Sequence, residues 1–290
     1  MGDILVGTAS WTHRTLIASG WYPAEARTPE SRLRHYATQF PLVEVDASYY
    51  ALPSEQTVRA WRDRTPDGFT FNVKAFALLT GHPTRPSSLP RDLRAAVPDR
   101  RLYPKDVPDE ILDELWHRFL TTLAVLDDAN RLGAVLFQFP PWFTATAKSR
   151  ARILEIQKRC APLRICVEFR HQSWMAPEHE HETLEFLTAH DLPYVVVDMP
   201  QGHTSSVPPR TAATSDLAVV RFHGHSKDWT SGDLDRRFTY FYEDDELRTW
   251  ATRIRTLAEQ ATTHVIFNNC CADHAQRNAA RLKTLLTQPT

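Results

Sequence analysis

Glycine is scarce in this chain: nine residues among 290. That scarcity removes whole classes of phosphate site. No G-x-x-x-x-G-K loop exists, and the turn after the first apolar segment, GTASWTHRT, is not the Gly-rich turn that opens a dinucleotide-binding fold. No G-x-S-x-G elbow exists either, which argues against a Ser–His–Asp hydrolase. Cysteine is sparse as well. Cys270 and Cys271 are adjacent and lack the C-x-x-C spacing of a metal site, while Cys160 and Cys166 sit in apolar surroundings that suit buried, inert thiols. Four cysteines in a chain of this length do not make a secreted disulfide framework. No apolar run reaches the length of a bilayer span, and the N-terminus shows no basic stretch ahead of an apolar core, so no signal peptide is visible. An excess of one charge is missing too. The formal net charge is −1, which speaks against a global attraction to nucleic acid or to membrane surfaces. Together these absences predict a cytoplasmic protein with no membrane partner.

What the chain does have is strand after strand. Eight short segments rich in β-branched and aromatic residues begin near residues 4, 42, 69, 133, 164, 194, 217 and 264. Most are separated by stretches with helical periodicity, such as Ile111, Leu112, Leu115, Phe119, Leu123 and Leu126. Thr28-Pro29 and Ser54 supply N-cap signals for two of the helices. Strand and helix alternate from end to end. The expected fold class is therefore α/β: a single (β/α)8-like TIM barrel of eight parallel strands over residues 1–290. Two stretches depart from the repeat. Residues 77–108 hold six prolines and are expected as a long loop over the C-terminal mouth, and residues 199–216 hold no helical pattern, so the helix after strand 6 is expected to be missing.

Strand parity sorts the side chains by face. One parity is almost wholly apolar: Val43 and Val45, Phe71 and Val73, Phe137 and Phe139, Val167 and Phe169, Val220 and Phe222. The other gathers polar groups: Thr8 and Ser10; Glu44, Asp46 and Ser48; Asn72 and Lys74; Gln138; Glu168 and Arg170; Asp198; Arg221, His223 and His225; Asn268. The apolar parity is expected to pack under the helices and the polar parity to look into the barrel, close to the C-terminal strand ends where such barrels carry their sites. A self-satisfied salt-bridge network would account for part of the set, most plausibly the deeper Glu44 and Arg221.

The blocks VEVDASYYALP, FTFNVKAF, LGAVLFQFPPWF, CVEFRHQSW, VVRFHGH, FTYFYEDDEL and FNNCCADHAQRNA stand in the order and spacing of the YecE-like family, domain of unknown function 72, which this chain resembles over nearly its whole length. The resemblance implies a TIM-type barrel. Its motif positions fall on Glu44, Lys74, Gln138, Glu168, Arg170, His171, Trp174, Asp198, Arg221, His223, Asn268 and Asn269. Asp46 stands where the family more often has Asn, which adds a negative charge to the mouth.

Three chemistries fit these residues. The first is a metal-free enzyme for a small anionic or polyhydroxylated ligand of sugar or sugar-phosphate type. Glu168 is its acid/base, assisted by His223 and Asp198. Lys74, Arg170 and Arg221 hold the anion. Asp46, Gln138 and Asn268 orient the ligand; the resemblance adds Asn269 and Trp174, and Tyr49 lies with Trp142 and Trp229 among the rings near strand ends. Lys74 has two other readings, a Schiff-base amine or a plain partner for Glu44 or Asp46. The second is a metal-dependent isomerase or endonuclease-like enzyme using Glu168, Asp198, His223 and His225, for which no H-E-x-x-H or similar spacing speaks. The third is a non-catalytic ligand- or nucleic-acid-binding module, which would call for a basic stripe that the sequence does not show. The first reading is favoured, with no cofactor expected.

Overall fold

Eight strands form where the eight apolar segments lie, and every ladder between them is parallel. The computed structural model describes residues 2–288, with residues 234 and 235 as backbone only. The strands are β1 (Ile4–Ala9), β2 (Leu42–Val45), β3 (Thr70–Lys74), β4 (Leu132–Gln138), β5 (Ile165–Glu168), β6 (Val195–Asp198), β7 (Leu217–Phe222) and β8 (Thr262–Phe267). Their order around the sheet is β5-β4-β3-β2-β1-β8-β7-β6. The last joint, between β5 and β6, is a single bridge from Val167 to Tyr194, where the Val167 amide donates to the Pro193 carbonyl at 2.9 Å. The result is a nearly closed (β/α)8-like barrel.

The helices are α1 (Arg14–Ala18), α2 (Pro29–Gln39), α3 (Ala47–Tyr50), α4 (Glu55–Asp63), α5 (Asp109–Asp127), α6 (Ala147–Cys160), α7 (Glu180–Ala189), α8 (Leu234–Arg237), α9 (Asp244–Ala258) and α10 (His274–Thr287). No described helix lies between β6 and β7. The expected caps form. Thr28 Oγ1 accepts from the Ser31 amide at 3.1 Å with Pro29 opening α2, and Ser54 Oγ accepts from the Thr57 amide at 3.2 Å at the start of α4. Val43, Phe71, Phe137 and Val167 belong to the main apolar core together with Leu33, Phe119, Ile153, Leu187, Ile254 and Leu282 of the helices. Burying each such side chain contributes about 1.5–3 kcal/mol. No described helix is long and apolar enough to cross a membrane.

The stretch 77–108 is ordered by short 3₁₀ turns and by the paired backbone of Thr84 and Leu102. Leu89, Leu93, Leu102 and Val107 are buried beneath it. Arg118 of α5 grips Asp92 with two hydrogen bonds, at 3.0 and 2.6 Å. Of this stretch, His82 lines the cavity at the mouth.

Three readings of parity fail, at Thr8, Ser10 and Ser48. Thr8 faces the helices: its amide donates to Tyr36 Oη of α2 at 2.8 Å, and Gln276 of α10 donates to its hydroxyl at 3.3 Å. Polarity alone is no mark of the inner face when a helix offers a polar partner. Ser10 lies past the end of β1 with φ of 66°, and Ser48 belongs to α3, where its hydroxyl donates to the Lys74 carbonyl at 2.6 Å. Deep in the barrel, His264 Nδ1 meets Asn72 Oδ1 at 3.0 Å. Gly133 makes room for that pair, since a Cβ there would fall 2.5 Å from Asn72 Oδ1 and 2.7 Å from His264 Cε1. The β3–β4 register shifts at this point, so Gly133 is the extra residue of a bulge.

Candidate functional site at the barrel mouth

The inward polar residues sort into two layers. The deeper one is a closed ionic network. Arg221 of β7 is fully buried and donates from Nη2 to Glu44 of β2 and from Nη1 to Glu168 of β5. Arg170, two residues past Glu168, donates to the other Glu168 oxygen. Two carboxylates face two guanidiniums. His223 completes the group, with Nε2 lying 3.0 Å from Arg170 Nη2 and 3.4 Å from Glu168 Oε1, and Nδ1 lying 3.0 Å from the Asn268 amide.

The network sets the protonation of its members. Burial alone would raise the Glu168 carboxyl, but Arg170 and Arg221 overcome it and hold Glu168 well below the usual carboxylate range. Burial pushes Glu44 up to about 7 against the pull of Arg221. Burial and the nearby Arg170 push His223 down to about 3, so the ring is neutral at ordinary pH.

Above this network lies a cavity of about 470 Å³. Its charged lining is Asp46, Lys74, Arg170 and Arg237. Lys74 Nζ lies 3.6 Å from Asp46 Oδ1 and 4.6 Å from the Tyr49 ring centroid. Gln138 and Asn268 supply amides, and the Gln138 oxygen accepts from Arg170 at 3.2 Å. Trp229 forms part of the wall, with the guanidiniums of Arg170 and Arg237 lying 5.7 and 5.9 Å from its ring. His82 adds a neutral imidazole, since burial and the cations Lys74 and Arg170 press its pKa down to about 3. Within this lining Asp46 Oδ1 and Arg237 Nε are buried without a hydrogen-bond partner, as are Glu44 Oε2 and Arg221 Nε in the layer beneath.

The expected site set therefore divides. Asp46, Tyr49, Lys74, Gln138, Arg170 and Asn268 meet at the cavity. Glu168, Arg221 and His223 lie beneath it, with no exposed surface. Asp198 is engaged elsewhere: it accepts from Tyr242 Oη at 2.6 Å and lies 3.0 Å from His225 Nε2. That contact raises the His225 pKa. His225 sits beyond the end of β7. Asn269 is a fold clamp, donating to the Tyr240 carbonyl at 3.0 Å and to Asn278 Oδ1 at 2.9 Å. Trp174 is fully buried, stacked on Phe169 at 4.0 Å, with its indole N–H donating to the Phe143 carbonyl at 2.6 Å. Neither Asn269 nor Trp174 lines the cavity. Among the described residues, no three His, Cys, Asp or Glu side chains come together so as to hold a metal ion. His179 and His181, at the start of α7, pair with Glu182 and Glu185 on its exposed side. Parity could not reveal His82, Arg237 and Phe238, because they stand in loops or a short helix with no strand period to read.

A family model described as "Protein of unknown function DUF72" matches residues 5–290. The chain is 30% identical to the UPF0759 protein YunF of Bacillus subtilis, across 98% of this chain and 94% of that protein. It is 27% identical to the UPF0759 protein YecE of Escherichia coli, across 62% of this chain and 53% of that one. Among solved structures, a DUF72 family protein from Enterococcus faecalis superposes with a TM-score of 0.81 at 26% identity, covering 99% of this chain and 96% of the other. A DUF72 family protein from Thermotoga maritima gives 0.79 at 28% identity, covering 99% and 100%. Barrel, sequence blocks and relatives agree, and the chain belongs to the DUF72 family.

Proposed function

We propose that this chain binds a small phosphorylated or carboxylated polyol in the cavity at the barrel mouth. The observation that carries the reading is an imbalance of charge. The deep network balances two carboxylates with two guanidiniums, Arg170 among them. The described lining above it keeps Lys74 and Arg237 against the single carboxylate of Asp46. Cations in a recessed, partly apolar pocket favour an anion, and guanidiniums suit phosphate or carboxylate geometry. Gln138 and Asn268 are placed for hydroxyl groups. Asp46, partly exposed at the cavity wall, supplies an acceptor for a ligand hydroxyl.

In this reading Glu168 is a positioning residue. Both of its oxygens are held by guanidiniums and its proton affinity is low, so it aims Arg170 upward and exchanges no proton with a ligand. His223 supports Arg170 from the side. The carboxylate available to move a proton at the cavity is that of Asp46, beside Lys74.

Calorimetric titration with glucose 6-phosphate and with glucose tests the reading. The phosphorylated sugar is expected to bind at least about tenfold more tightly, as one charge-assisted contact implies. Lys74→Ala and Arg237→Ala should each remove most of that margin. Equal binding of the neutral sugar would refute the anion site.

A further inference from the structure

The cavity continues outward into a row of aromatic rings. Four large hydrophobic residues are exposed among the described residues: Ile17, Tyr50, Tyr103 and Trp142. Three of them belong to this one row. Tyr49 and Tyr50 line the cavity, with ring centroids 5.1 Å apart. His82 follows at 5.3 Å from Tyr49, Trp142 at 6.0 Å from His82, and Tyr103 at 6.5 Å from Trp142. Trp142 is 54% exposed in spite of these neighbours. Single exposed hydrophobics are ordinary, whereas a contiguous patch at the rim of a pocket marks a contact surface.

The row comes from three separate segments, α3, the 77–108 stretch and the loop after β4, and its backbone is anchored. The Tyr103 amide donates to Asp106 Oδ2 at 2.9 Å beside the Thr84–Leu102 pair, and His82 Nδ1 meets Thr80 Oγ1 at 2.8 Å. The platform is thus held in place before any ligand arrives.

Resting on the anion site above, we propose that the ligand is a nucleotide, with its phosphate at Lys74 and Arg237 and its base stacked on the outer ledge formed by Trp142 and Tyr103. Rings favour a planar, polarisable partner, and stacking holds a base without sequence-specific hydrogen bonds. A second sugar would need polar groups around its hydroxyls. The five rings of the row carry no carboxylate, carboxamide or cationic group, His82 being neutral. Asp46, beside Lys74 at the inner end, is left for the ribose hydroxyls.

Calorimetric titration with adenosine 5′-monophosphate, ribose 5-phosphate and trehalose 6-phosphate tests the proposal, on wild type, Trp142→Ala and Tyr103→Ala. The mononucleotide is expected to bind wild type about tenfold more tightly than ribose 5-phosphate, the effect of one stacked base. Each ledge variant should lose that margin and keep its affinity for ribose 5-phosphate. A mononucleotide that binds no more tightly than ribose 5-phosphate overturns the ledge and leaves the anion site standing. An equal gain for trehalose 6-phosphate, lost in the same variants, assigns the ledge to sugar faces and overturns the base. Binding of none of the three overturns both readings.

Discussion

Two polar layers stand one above the other on the same strands, and they behave as opposites. In the lower layer Glu44, Glu168 and Arg221 have no exposed surface and are paired with one another. In the upper layer Asp46 and Lys74 keep 23% and 12% of their side-chain surface, stand 3.6 Å apart, and border a cavity. A buried charge that has found its partner holds the barrel together. A charge left partly open at the wall of a cavity is available to something else. Side-chain chemistry alone does not tell these apart, since both layers are built from the same residue types.

Breaking the lower layer has the largest expected consequence. Arg221→Met strands the buried Glu44 carboxylate, leaves Glu168 with Arg170 alone, and should destabilise the fold by about 3–5 kcal/mol in urea titrations. Neutralising the matching acid as well, in a Glu44→Gln, Arg221→Met double variant, should recover much of the loss, because the Glu168–Arg170 pair then stays balanced. A single Arg221→Met variant as stable as wild type would show that the layer is not a closed network.

The lower layer also carries a pH signature, one it shares with His82 at the cavity wall. The His223 pKa falls from 6.5 to about 3 on folding. Between those values the unfolded chain takes up a proton that the folded chain refuses, so stability is lost as pH falls from about 6.5 toward 3. Glu44, raised to about 7, acts in the opposite sense and removes stability as pH rises from its ordinary value toward 7. His223→Gln should therefore flatten the acid limb of a stability–pH curve by about 1.4 kcal/mol per pH unit, the slope of one proton. An unchanged slope would mean that His223 already titrates normally in the folded protein.

How much of this was readable beforehand depends on the layer. The alternation of strands and helices, the missing sixth helix and the inward face of Glu44, Lys74, Gln138, Glu168, Arg221, His223 and Asn268 follow from period and parity, which are local properties of the chain. Depth is not local. Whether Glu168 is open to a ligand depends on Arg170, Arg221 and His223 arriving from the same strand and from β7, and no spacing in the sequence encodes that contact. Loop residues are less readable still. Trp174 and Trp142 look alike as tryptophans near strand ends, yet one is sealed between Phe169 and Phe143 and the other is more than half exposed. Thr8 fails for a third reason: Tyr36, 28 residues away, supplies the partner that lets a hydroxyl face the helices.

In the upper layer the expected effects on stability are small and those on binding larger. Lys74→Ala removes a partly exposed side chain whose one carboxylate neighbour is at 3.6 Å. Its unfolding free energy from urea titration should fall by less than about 1 kcal/mol, while phosphate-dependent binding collapses. A loss of stability comparable with that of Arg221→Met would merge the two layers into one structural network.

The finest discrimination comes from Asp46→Asn, which keeps shape and removes charge at the position where the resembling family more often carries Asn. At the rim of the cavity the Asp46 carboxylate repels any bound anion and partly neutralises Lys74. At a few ångströms and surface-like screening such an interaction amounts to about 1 kcal/mol. Affinity for inorganic phosphate should rise about fivefold in Asp46→Asn, and the gain should shrink as salt is raised, because the mouth is open to solvent. Thermal stability should stay where it is, since Asp46 lies outside the Glu44–Arg221–Glu168 cluster. Affinity for a phosphorylated sugar should gain less than affinity for inorganic phosphate. The asparagine still accepts a hydrogen bond from a sugar hydroxyl, but without the charge that strengthens it. If the two gains are equal, Asp46 acts on the anion alone and makes no contact with the hydroxyl groups of the ligand.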